Sequence, residues 1–143
     1  MNFIKSSAFL VSSLLANSVV LAAPNALSNK AWVCMQSQLV PDNTYSVRLY
    51  KNTNTSSLTS DVFHDSFIGR NKIASLSNCK ADLPPETMVD GATTVVCQGN
   101  NGRGSFKSEF SLGGFAPQYG SAQLAETNDQ GETEITEMQC QGL

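Results

Sequence analysis

Ser105-Phe106-Lys107-Ser108-Glu109-Phe110-Ser111-Leu112 is the stretch that decides the fold class. Phe106, Phe110 and Leu112 fall on one side of an extended chain, while Lys107, Glu109 and Ser111 fall on the other. A period of two belongs to a strand with one face in a core and one in water. Tyr45-Ser46-Val47-Arg48-Leu49-Tyr50 repeats it, with Tyr45, Val47 and Leu49 inward. Weaker β-rich runs cover Ala31–Gln38, Leu58–Phe67, Asn71–Cys79, Thr93–Gln98, Tyr119–Glu126 and Glu132–Cys140.

Turn formers separate these runs: Pro41-Asp42-Asn43, Asn52-Thr53-Asn54, Gly69-Arg70-Asn71, Asn100-Asn101-Gly102, Gly113-Gly114 with Pro117, and Asn128-Asp129-Gln130-Gly131. Each supplies a fixed φ or tolerance of positive φ where a hairpin reverses. The expectation is therefore an all-β domain of about eight antiparallel strands, an up-and-down barrel or a sandwich. The longer connection Lys80–Gly91, with Pro84-Pro85, has room for a short helical turn.

The beginning of the chain reads differently. Lys5 is its only charge before Lys30, and Ala8–Leu21 is dominated by Ala, Leu, Val and Phe. A basic start, a short apolar run and small residues at Leu21-Ala22-Ala23 have the pattern of a cleavable signal peptide over residues 1–22. The run is shorter and more Ser-rich than a spanning helix, which needs about 20 strongly apolar residues. No cysteine stands where a lipid anchor would be attached. Residues 23–143 are then expected to form one periplasmic or extracellular domain without a membrane anchor.

All four cysteines, Cys34, Cys79, Cys97 and Cys140, lie in that domain, and an even count in an oxidising compartment implies two disulfides. Zinc is the competing use, but close Cys-x-x-Cys pairs are absent. A closed barrel favours Cys34–Cys140 with Cys79–Cys97, because its first and last strands are neighbours. Two separately packed halves, as an internal duplication would give, favour Cys34–Cys79 with Cys97–Cys140. The balance leans slightly to the first.

The whole chain has a formal net charge of −3, and loss of Lys5 with the leader makes it −4. That balance argues against nucleic acid, whose binding depends on Lys and Arg at the phosphates, and against an anionic membrane surface. Glu126, Asp129, Glu132, Glu134 and Glu137 fall within twelve residues uninterrupted by Lys or Arg. An acidic hairpin of this kind steers a basic protein partner, or else protects an edge strand from pairing. Arg103, in Gly99-Asn100-Asn101-Gly102-Arg103-Gly104, sits on a hairpin tip able to touch a partner; this glycine-rich run joins two strands and lacks the ending of a phosphate loop.

Phe63, Phe67, Phe115 and Tyr119 lie in or beside loops and are the candidates to line a ligand cavity at a barrel mouth. His64 is the only histidine. Its neighbour Asp65 points to the opposite face of a strand, so the two do not make a simple acid–base pair.

No catalytic, metal or cofactor motif emerges. The sequence reads first as an exported non-catalytic binding module that recognises a basic protein or a small ligand through its loops or acidic hairpin. A structural, surface-interaction protein of the cell envelope is the alternative, and a small secreted hydrolase using His64 the third reading. Small exported barrels that inhibit lysozyme offer an analogy of fold alone, since their Ser-Gly-x-x-Tyr loop type is absent here.

Overall fold

The computed structural model describes residues 26–37, 43–82, 93–113 and 118–143. The expected leader and its cleavage site, Pro41-Asp42, the Pro84-Pro85 connection and Phe115 lie outside them. After a 3-10 turn at Ala26–Ser28 come β1 (Ala31–Met35), β2 (Thr44–Lys51), β3 (Leu58–Ser66), β4 (Gly69–Leu76), β5 (Asn78–Asp82), β6 (Thr93–Asn100), β7 (Gly104–Leu112), β8 (Tyr119–Asn128) and β9 (Thr133–Gly142).

All nine strands belong to one antiparallel sheet in the order β4-β3-β2-β1-β9-β8-β7-β6-β5. The two edge strands are consecutive in the chain, separated only by Ser77. The sheet thus curls into a barrel-like form, its edges being the two halves of one continuous run. That run, expected as a single strand over Asn71–Cys79, changes partner at Ser77: β4 pairs with β3, and β5 pairs with β6. This accounts for nine strands in place of eight.

The seam is closed by packing. Leu76 of β4 lies against Gly99 of β6, where a Cβ would stand 2.9 Å from Leu76 Cδ2. Asn101 Nδ2, on the β6–β7 hairpin, donates to the Ile73 carbonyl at 3.3 Å.

The interior follows the alternation. β7 reads partly buried, exposed, buried, exposed from Gly104, so Phe106, Ser108, Phe110 and Leu112 point inward. They meet Trp32, Val47, Leu49, Val62, Leu76, Val95, Leu124 and Met138. Burying side chains of this size stabilises the fold by roughly 1.5–3 kcal/mol each before chain entropy is counted. Two polar groups within are paired across the core, Ser108 Oγ donating to Ser60 Oγ at 3.0 Å and Trp32 Nε1 to the Ala26 carbonyl at 3.2 Å, whereas the buried hydroxyls of Ser46 and Thr93 have no hydrogen-bond partner among the described residues.

Two disulfides complete the frame, Cys34–Cys140 and Cys79–Cys97. Both join residues directly opposite on paired strands, β1 with β9 and β5 with β6. Each bridge therefore ties the first meander, β1–β5, to the second, β6–β9, at one of their two junctions; neither staples a half to itself.

Candidate functional site

The meander sorts its connections by end. Residues 36–37 after β1 and Asn43 before β2, the Phe67–Ile68 turn, the Asn101–Arg103 tip and the Asp129–Glu132 turn all lie at one end, which we call the mouth. The Asn52–Ser57 turn, Gly113 after β7, Gln118 before β8 and the segment 26–30 with Leu143 lie at the other. By strand order, the β3–β4 and β8–β9 hairpins face each other across the mouth.

Four inward positions reach the mouth. Tyr45 precedes inward Val47 by two residues, and His64 follows inward Val62 by two. Glu126 follows Leu124 by two, and Glu134 precedes Thr136 by two. Glu126 and Glu134 are directly opposed on paired strands, and Phe106 stands opposite Glu126 on its other side. Like charges directly opposed across a ladder repel, so this acidic pair works against the fold that holds it.

Tyr45 links the two walls. Its hydroxyl, carried on β2, donates to Glu126 Oε2 on β8 at 3.0 Å, while its backbone N–H donates to Gln36 Oε1 at 2.7 Å. Burial pushes the phenol pKa up to about 12, helped by the hydrogen bond to Glu126 and the charges of Glu126 and Glu134. The His64 ring meets the Tyr45 ring edge-on at 5.3 Å, and His64 Nε2 lies 2.8 Å from Asn43 Oδ1. Asp65 turns to the outer face and accepts from Arg70 Nε at 2.6 Å.

Beside Tyr45 the rim forms a hollow of about 300 Å³, bordered by Met35, Thr44, Tyr45, Asp65 and Arg70. One extra residue in β4 opposite Val62–Phe63, a β-bulge, bends the strand just before this rim. The turn beyond it carries Phe67 and Ile68, both exposed.

The candidates from sequence divide accordingly. Glu126 and Glu134 face the mouth, and Asp129 and Glu132 sit in the turn at its edge. Glu137 points to the outer face, where Gln123 donates to it at 3.4 Å. Arg103 occupies the tip of the neighbouring β6–β7 hairpin, its backbone N–H held by Asn101 Oδ1 at 3.0 Å. The three described members of the aromatic set do not share one cavity. Phe63 lies on the outer face under the Arg70 guanidinium, 5.7 Å from the ring centre; Phe67 projects from the mouth; Tyr119 opens β8 at the opposite end. Tyr45 and Ile68 were not singled out in the sequence as site residues. The signal for the first was the inward register Ala122-Leu124-Glu126, which aims an acid along the core face toward whatever crosses from β2.

Among the described residues, no three of His, Cys, Asp and Glu are grouped so as to hold a metal ion. Compared with protein-family models, with curated proteins and with solved structures, the chain matches none of them.

Proposed function

We propose that this is an exported, non-catalytic binding module whose mouth engages a basic protein. The observation that carries the reading is the acidic wall. Glu126 and Glu134 are directly opposed, Asp129 and Glu132 adjoin them, and among the described residues no Lys or Arg forms a salt bridge with any of the four. A repulsive pair that a cation would relieve is a favourable place for a partner's Lys or Arg, and clustered charge of one sign speeds encounter with the opposite sign. The two disulfides are consistent with an oxidising, exported environment.

The test is retention of residues 23–143 on immobilised basic proteins, lysozyme among them, across a salt series. Retention that weakens with salt, and falls again in the Glu126→Gln/Glu134→Gln variant, is the expected result. Passage through every basic column at low salt would discard the reading. Export is checked separately: with its leader the chain should yield secreted protein beginning at Ala23.

A further inference from the structure

Phe67 and Ile68 have no explanation in the fold. They are 74% and 100% exposed, so they add nothing to the core. They form the centre of a two-residue hairpin turn at ordinary negative φ, and the positive φ is taken by Gly69. At negative φ such a turn accepts most residues, but its exposure to water favours polar ones. Two large apolar side chains gain nothing there from the fold. Met35, 50% exposed, borders the same hollow as Ser66 and Gly69, the residues that flank the Phe67–Ile68 turn.

What lies across from them selects the occupant. Tyr45 borders the hollow and also donates to Glu126. Tyr45 therefore stands between the hollow and the acidic pair. Arg70, two residues along the chain from Ile68, is already taken up by Asp65 on one side and the Phe63 ring on the other. A second copy of the chain would bring acid against acid, and an anionic lipid surface would do the same. A surface presenting apolar and cationic side chains together fits both walls.

We infer, building on the binding-module reading, that the partner offers a cationic amphipathic segment. Its apolar side chains pack on Phe67, Ile68 and Met35 in and around the hollow. Its Lys or Arg side chains meet Glu126 and Glu134. The tip is then the desolvated anchor of the interface, and the acids set charge selection and encounter rate.

Two synthetic peptides of equal length and charge test this, one built of Lys and Leu in amphipathic order, the other with Ser for every Leu. Calorimetric titration of residues 23–143 should show the Lys/Leu peptide binding about tenfold or more tightly than Lys/Ser, the order expected for burying one or two large apolar side chains. Phe67→Ser/Ile68→Ser, which touches only exposed positions, should abolish that preference and leave Lys/Ser binding unchanged. Glu126→Gln/Glu134→Gln should weaken both peptides and spare the preference. A wild-type protein without leucine preference, or a tip variant that keeps it, overturns the inference even where the acid dependence stands. A leucine preference with no dependence on the two acids overturns the binding reading itself, and binding of neither peptide overturns both. Tip-dependent sedimentation with phosphatidylcholine vesicles in place of the peptide preference would reassign the tip to lipid and likewise overturn the inference.

Discussion

Tyr45 belongs to two patterns at once, the inward face of β2 and the polar mouth, and its acidity reports both. The folded chain holds the phenolic proton up to about 12, whereas an unfolded tyrosine releases it near 10. Between those values the folded state binds more protons, so stability is intact below pH 10 and falls as pH rises toward 12. The stability difference between wild type and Tyr45→Phe should stay level from neutral pH to about 9 and shrink above 10, as denaturant midpoints will show. Tyrosinate absorbance should find Tyr45 titrating late, with Tyr50 also displaced upward by its burial near Asp61. The acidic pair makes the opposite kind of forecast. Glu134→Gln should raise stability by a few tenths of a kcal/mol, since it removes a directly opposed like charge, while weakening retention on a basic partner. The acids of this site were legible because charge runs survive in one dimension. Their partner Tyr45 was not, because a contact between β2 and β8 depends on how the sheet curls.

The elements were legible wherever one face meets the core and the other meets water, as in β2 and β7. Two places were not. The β3–β4 turn was expected at Gly69-Arg70-Asn71, but the chain reverses at Phe67–Ile68 and uses Gly69 only for the positive φ that follows, so the glycine signalled a turn two residues late. The break at Ser77 was invisible because the chain stays extended through it, with no Gly, Pro or reversal to mark it, and only the tertiary structure makes β4 and β5 choose different neighbours. The seam this creates is testable. Gly99→Val should cost about 1–3 kcal/mol by pressing on Leu76, which is fully buried. Leu76→Ala alone should cost about 2–5 kcal/mol through the space it leaves. Together they should cost less than the sum, because each relieves the other; a coupling below about 0.5 kcal/mol in a chemical-denaturation cycle would mean that the two side chains do not close the seam.

For the whole molecule, the decisive feature is that both bridges cross from one meander to the other. The curled, barrel-like sheet is made of two arcs, and Cys34–Cys140 and Cys79–Cys97 join one arc to the other. They differ in how much freedom they remove from the unfolded chain: one closes a separation of 106 residues, the other of 18. Loop-closure entropy grows with the logarithm of that separation, giving about 5 kcal/mol for the first and about 3 kcal/mol for the second. Removing the bridges in turn as Cys34→Ala/Cys140→Ala and Cys79→Ala/Cys97→Ala should therefore destabilise the first variant more, by roughly 1.5 kcal/mol in urea unfolding at neutral pH. Both pairs lie between directly opposed strand residues, so the ladders remain to hold either joint once its bridge is gone. Equal losses would mean that the second joint owes its stability to more than chain entropy. The place to seek it is the β5–β6 edge, where the ladder is only five residues long and the chain has just changed neighbours at Ser77.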